Sequence, residues 1–546
     1  MVREFNLLDE SWIRVRFPDC TIQEMSLIDV LLHSQNIDDL SGELPSQDIA
    51  IMRLLLAVLH SVFSKTDAYG NASLICDYED ALIRWEELWE LKHFPEKPIK
   101  DYLEKYHDSF WLFDDVKPFY QVPAINGTPY TSAKLNGELS ESNNKIRLFS
   151  SRSSDTKGKL TFAEAARWLL YINSFDDNSS KTKTKGLPSP GVGWLGKLGL
   201  ITVVGNNLFE SLMLNFILLK DNQETWDYST TNSDVSIYPQ NKPVWEYPVP
   251  RSEERKEVIS SGNPAEFLTL QSRRLLLKKE GNMVTGYSLI GGDFYSNDEI
   301  PPEQMTIWIS KKDGNKSTTW SPRRHLPMRQ MWRDFSSIAV QDENAKKLPG
   351  VVLWIKLLQK ENILSKDFIQ FRISSVQYGG SQNSFVNDVF SDSLTFQTSL
   401  LSDLGSRWCN QIKIEIDKCD DAAKEIGMLS INLSKAAGSF NESSYKSQKE
   451  EAQALFYDSI DSIFRNWLSS IKPETDDIND KCWEWRSIAK KTALSEGENL
   501  IKTAGEPAFV GRYRTESGKT FHYSSSESFN HFKRNINKIY ENEVSN

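Results

Sequence analysis

Four stretches of the chain combine residue types that could do chemistry on a phosphate-bearing ligand. The first is KTKTKGLPSPGVGWLGKLGL, residues 181–200, in which lysines at alternate positions lead through Pro188 and Pro190 into Gly191, Gly193, Gly196 and Gly199. Glycine lets a backbone approach a ligand closely, and lysines beside it can hold phosphates. The spacing Gly191-x-Gly193-x-x-Gly196 also matches the dinucleotide fingerprint, although β-like residues follow it where that fingerprint needs a helix. A plain surface loop is the third reading. The second stretch, NNKIRLFSSRSSDTKGK (143–159), interleaves Lys145, Arg147, Phe149 and Arg152 with serines that can meet phosphates and base edges. The third, QYGGSQNSF (377–385), makes a glycine turn that presents Gln382 and Asn383, whose amides can bond bases or wedge into a base step; an ordinary hairpin turn reads equally well. The fourth, LTLQSRRLLL (268–277), sets Arg273-Arg274 in a β-like run, either as a groove contact or as a structural ion pair. The cluster Arg323, Arg324, His325, Arg329 and Arg333 is open in the same way, with His325 read as structural.

Signatures of catalysis are missing. No G-x-S-x-G, Walker A or H-E-x-x-H pattern occurs. Asp176-Asp177, Asp420-Asp421 and Asp476-Asp477 are adjacent carboxylates, which point to different faces and make poor two-metal sites; the pattern predicts solvated surface. Five cysteines form no C-x-x-C pair, and none of the seven histidines lies three to five residues from another, so no metal and no cofactor are expected. The odd cysteine count suits a reduced compartment, and MVREFNLLDE has no signal-peptide apolar region, which implies a cytoplasmic chain.

These residues need a large scaffold. The chain has 546 residues with 39% hydrophobic and 25% charged, a globular balance that suggests several domains. Its net charge of −11 argues against a free-standing nucleic-acid binder but leaves room for local basic patches. Residues 145–200 form such a patch, with ten basic against four acidic side chains. The longest apolar stretch, near Ile51–Phe63, is broken by Arg53 and His60 and reads as a buried helix, not a membrane span.

Periodicity predicts a short β unit and helix over 1–35. A helix follows over Ile49–Ser64, with Ser46 and Asp48 as N-cap residues, and another over Tyr78–Leu91. A helix capped by Thr161 covers Phe162–Tyr171, a strand Leu200–Val204, and a helix Asn207–Leu219. After about residue 390 long amphipathic stretches dominate, near Ser399–Ala437, Tyr445–Ile471, Asp476–Ala504 and Ser525–Tyr540, with a long loop over Gly505–Ser524. The fold class is therefore α+β: a mixed α/β domain with long loops over 1–390 and a four-helix bundle over 391–546.

FNLLDESWIRV (5–15) followed by MSLIDVLL (25–32) resembles the large subunit, CasA, of the type I-E CRISPR surveillance complex Cascade. FWLFDDVKPFYQVP (110–123), LTFAEAARWLLYIN (160–173), GKLGLITVVGNNLFESLMLN (196–215), LTLQSRRLLL and MWRDFSSI (331–338) follow in the family's order. The resemblance spans essentially the whole chain. It implies a non-catalytic subunit that reads the protospacer-adjacent motif (PAM) in double-stranded DNA, promotes duplex opening and R-loop formation, and docks the helicase-nuclease in antiviral defence. The implied partners are the guide-RNA Cascade core, the crRNA 5′ end and target DNA. The family's glycine loop resembles Pro190–Gly196, which assigns DNA contact to Gly191, Val192, Gly193, Gly196 and Lys197. Its wedge turn resembles Gln382, Asn383 and Ser384, and its guide-facing loop resembles Leu148, Phe149, Ser150, Ser151 and Arg152. The zinc-binding cysteine pairs of some members are missing. The competing readings are a nucleotide-dependent oxidoreductase using the 191–196 glycines and a general RNA-binding scaffold.

Overall fold

A computed structural model describes residues 3–541 apart from 142–149, 154–155, 180, 182–185, 222–223, 229–241, 259–261, 296–302, 312–318, 341–345, 380–385, 440–441 and 517. The chain divides into two compact units. One is drawn from Met1–Pro327, Gln341–Ser365 and Gln370–Ser393, and the other from Met328–Val340, Lys366–Ile369 and Leu394–Asn546.

In the first unit the core is built on the helix Pro45–Phe63. It is apolar all round and buried on nearly every face, as the sequence led us to expect of a helix enclosed by protein. Burial alone pushes His60 down to about 3, so it sits there neutral, and Arg53 meets Glu303 at 2.9 Å. This helix starts four residues earlier than the periodicity predicted. Pro45 occupies its first turn, where a missing N–H costs nothing, and Leu44 is the N-cap. Ser46 therefore lies inside the turn, and Asp48 Oδ1 instead accepts the Gly42 N–H at 2.7 Å. Around the helix, Ile13–Arg16 pairs with Ile22–Met25 and Asp39–Leu40. Arg273–Glu280 pairs antiparallel with Met283–Gly291, which pairs in turn with Thr128–Thr131. Leu200–Val204 lies antiparallel to Phe368–Tyr378, which is flanked by Val386–Gln397. The helix Phe162–Phe175 opens with a full capping box between Thr161 and Glu164.

In the second unit, Ser406–Ala437 packs against Glu442–Ser470, Ile478–Thr503 and Ser525–Ile539, which gives the expected helical C-terminal region. Trp485 is fully buried, stacked on Trp467 (5.1 Å) and edge-on to Phe464 (4.9 Å). Phe464 also stacks on Trp332 at 4.3 Å, so MWRDFSSI contributes to this core from outside the C-terminal stretch. Arg333 lies over the Tyr457 ring and pairs with Asp420, which also accepts from Tyr457 Oη. Asp420 is therefore committed to an internal network and is not the solvated carboxylate expected from its adjacent pair, whereas Asp477 is exposed, as expected, and caps the helix Ile478–Thr503 by accepting from the Asn479 and Asp480 N–H groups. The expected loop over 505–524 holds a short helix, Glu506–Val510, and an antiparallel pair, Arg512–Glu516 with Lys519–Tyr523. Gly518 at φ +78° supplies the left-handed backbone for the turn.

Replacing Trp485 with alanine removes the ring that two other aromatics pack against. We expect a loss of about 3–5 kcal/mol from this unit, read as an earlier transition in urea denaturation followed by far-ultraviolet circular dichroism.

Candidate nucleic-acid interface

The expectation that Asp176 and Asp177 lie on solvated surface is overturned: each side chain is about 1% exposed. The helix Phe162–Phe175 ends at Asp176, whose backbone turns out of helical geometry and delivers the carboxylate inward. Arg273 Nε and Lys181 Nζ (2.8 Å) both meet its Oδ2, and Lys134 pairs with Asp177. Burial by itself would raise the Asp176 pKa, but Lys181, Arg273 and Lys134 together hold it down at about 2. Lys181 also donates to the backbone oxygens of Asp177 (2.6 Å) and Ser179 (3.1 Å). The first lysine of the KTKTK run is thus an internal cation, not a phosphate contact. Arg273 and Arg274 resolve the same way: Arg274 pairs with Asp293 at 2.6 Å, so both are structural ion pairs.

This buried lattice holds the glycine loop from two sides. Arg273 Nη2 donates to Gly191 O at 2.6 Å, and the Gly193 N–H donates to Asp176 O at 2.8 Å. A Cβ on Gly193 would stand 2.4 Å from Ser174 O, and one on Gly199 would stand 2.3 Å from Arg323 O. Those glycines let backbone pack on backbone. Gly191 differs: its φ is +63° and a Cβ there would meet nothing within 4 Å. Val192 is buried, Gly193 and Gly196 are enclosed, and Trp194 bonds inward to Ser272 Oγ and Glu303. Of the five loop residues assigned to DNA, the fold leaves Gly191 and Lys197 partly open to the outside. The loop runs through the turn Leu195–Lys197 into the strand Leu200–Val204, so no helix N-terminus follows the glycines and the dinucleotide geometry is missing.

Tyr378, not singled out by the sequence, joins two remote motifs. It is the last residue of the strand Phe368–Tyr378, directly before Gly379. Its Oη donates to Phe175 O at 2.6 Å, and a Cβ on Gly196 would fall 2.1 Å from the same Tyr378 Oη. The strand end that precedes the QYGGSQNSF turn therefore lies directly under the glycine loop. Gln382, Asn383 and Ser384 themselves lie outside the described residues. Burial lowers the Lys197 pKa, and Arg273, Arg324 and Arg255 push it the same way. The cluster around His325 splits: Arg324 is exposed beside the loop, His325 is buried, and Arg329 and Arg333 pair with Asp334 and Asp420 in the second unit.

Leu148 and Phe149 fall outside the described residues. Ser150 and Ser151 are exposed, and Arg152 pairs with Glu164 of the capping box, so its guanidinium is engaged within the fold. Among the described residues no group of three or more His, Cys, Asp or Glu is arranged to hold a metal.

The sequence profile of the family described as CRISPR-associated protein Cse1 matches residues 6–495. A CRISPR-associated protein CasA/Cse1 from Thermus thermophilus is 32% identical over 219 residues, a stretch covering 40% of this chain and 40% of that protein. The crystal structure of Thermobifida fusca Cse1 superposes with a TM-score of 0.79 at 25% identity, covering 98% of each chain. A chain of a CRISPR RNA-guided surveillance complex shares the fold, with a TM-score of 0.67 at 17% identity over 98% of this chain and 100% of that one.

The ionic lattice makes a pH-dependent prediction. Asp176 titrates lower in the folded chain than when unfolded, so its stabilisation is present above about pH 4 and is lost as pH falls through about 2. Asp176→Asn leaves two cations buried without their carboxylate. It should cost about 3–5 kcal/mol at neutral pH, with the gap to the unaltered chain narrowing from pH 4 to pH 2 in thermal melts.

Proposed function

The chain belongs to the CRISPR-associated Cse1 family, the CasA large subunits of type I-E Cascade, and from this we propose that it reads the PAM in double-stranded DNA without catalysing a reaction. The observation that carries the reading is the glycine loop: a backbone held rigid from within by Asp176 and Arg273, with Gly191 open and Lys197 beside it. A minor groove is narrow and presents few distinguishing groups, so a reader made of bare backbone and one or two cations fits it and tolerates several A·T- or G·C-biased motifs.

In this reading Gly191 and Lys197 face the duplex, while Val192, Gly193 and Gly196 shape the loop by packing within the protein. Gln382, Asn383 and Ser384 act as the wedge that begins strand separation, at a cost of a few kcal/mol per unstacked step, which guide pairing offsets. Residues 1–390 carry the DNA-reading part. The loop Leu148, Phe149, Ser150, Ser151 and Arg152 faces the guide-RNA core and the crRNA 5′ end, and the bundle of 391–546 completes the subunit. R-loop formation and docking of the helicase-nuclease belong to the assembled complex. The net charge of −11 fits a subunit whose core partners supply most phosphate contacts.

A gel-shift titration of duplexes bearing a panel of flanking motifs, with and without the guide-RNA core, tests the proposal. Motif-dependent binding should need both this chain and the core; binding indifferent to the chain sinks the reading. Within that assay Gly191→Val is the informative loop change, because its side chain enters open space and its left-handed backbone adds only about 1–2 kcal/mol of strain. It should weaken motif binding at least tenfold in a folded chain, whereas Gly193→Val would disturb the Ser174 backbone as well. Gln382→Ala should slow duplex opening, followed by a fluorescent base analogue, more than it weakens initial motif binding. Equal losses in both steps remove Gln382 from the wedge.

A further inference from the structure

The cations around the glycine loop fall into two kinds. Lys134, Lys181, Arg273 and Arg274 are buried, and each has a carboxylate. Lys197, whose charge feels that of Arg273, and Arg324, which bonds the Lys197 backbone, have none among the described residues. Lys197 is largely enclosed, and the charged groups that act on it are Arg273, Arg324 and Arg255, all cationic. Arg255 directs its own donors to the backbone oxygens of Gly292 and Pro188. Arg324 donates through Nε to Lys197 O at 3.3 Å and holds its guanidinium 5.8 Å from the Tyr378 ring centre. No carboxylate among the described residues pairs with that guanidinium, and the side chain is exposed.

Neither position is accidental. The missing Cβ of Gly199 allows the Arg323–His325 backbone to lie against the end of the loop, with Arg323 O where the Cβ would be. The Arg323 N–H bonds Ile307 O at 2.9 Å, and Thr306 Oγ1 bonds Gly199 O at 3.0 Å. The backbone that carries Arg324 is thus fixed on both sides. Two neighbouring like charges with no carboxylate partner among the described residues, in a chain of net charge −11, form a locally uncompensated positive site.

We propose that Arg324 and Lys197 together form a seat for one backbone phosphate of a nucleic-acid duplex, placed between the glycine loop and the end of the strand Phe368–Tyr378. The inference rests on the duplex-reading role of Lys197 and adds to it Arg324, which lies outside the glycine loop. The planar guanidinium supplies two parallel donors to a phosphate and the ammonium a point charge, the pairing that suits a diester. The seat carries no sequence information. It sets the register of the duplex at the point where the glycine loop and the strand end meet over Tyr378.

The test uses the full chain reconstituted with its guide-RNA core and compares Arg324→Gln and Arg324→Lys with the unaltered chain. Duplex affinity is measured by fluorescence anisotropy from about 50 to 200 mM salt, and assembly with the core is measured by gel filtration without DNA. Loss of one phosphate contact lowers the slope of log affinity against log salt by about 0.9. Arg324→Gln should therefore show that reduced slope and about 5–20-fold weaker binding for every motif alike, with assembly intact, and Arg324→Lys should restore the slope. An unchanged slope and affinity in Arg324→Gln, while the unaltered complex binds by motif, overturns the seat alone. Failure of Arg324→Gln to assemble without DNA also overturns it, because the cations then face a carboxylate of the core. Absence of motif-dependent binding by the unaltered complex removes the duplex-reading role and the seat with it.

Discussion

A carboxylate enclosed by protein keeps its charge only when cations are enclosed with it, and the Asp176 side chain meets that condition through Arg273 and Lys181 on a single oxygen. Everything around the glycine loop depends on this contact. Arg273 is free to hold Gly191 O because its Nε is already committed, and Asp176 holds the Gly193 N–H because its own helix has ended there. A loop rich in glycine would otherwise sample many shapes, since glycine loses more conformational freedom on ordering than any other residue. The lattice supplies the order from beneath and leaves the outer surface bare. The same chain segment can then be stiff and still leave Gly191 open to the outside.

The second unit reaches order by a different route. Its core is aromatic, with Trp332, Phe464, Trp467 and Trp485 in successive ring contacts, and Arg486 pairs at 2.6 Å with the buried Glu415. Trp332 and Arg333 come from Met328–Val340, so the unit is not closed by its own helices alone. The helix Ser406–Ala437 packs against the three other long helices and against the short helix Glu506–Val510.

Periodic elements were legible in the sequence. Tyr78–Leu91 and Leu200–Val204 fall where apolar spacing puts them, and Thr161 caps its helix as its type demands. The helix Pro45–Phe63 begins before Ile49 because Ser46 and Asp48, residue types that favour an N-cap, lie inside its first turn, and Leu44 caps it without a side-chain bond. The buried acids were misread for a reason that also concerns the site. A charged pair at a helix end looks solvated when its partners, Lys134 and Arg273, are far away in the chain, and only the fold brings four such groups together. The glycines were legible as a loop, but not their separate tasks. Gly193, Gly196 and Gly199 admit neighbouring protein, and Gly191 faces outward. Tyr378 carried no signal beyond its place before a glycine pair.

The oxygen of Tyr378 occupies the space that any side chain at position 196 would need. The two positions therefore share one small volume. A methyl group admitted at 196 is volume denied at 378, and a smaller residue at 378 opens a hole that glycine cannot fill. Neither position can drift alone. A change at either position therefore carries a packing cost that a matching change at the other can relieve.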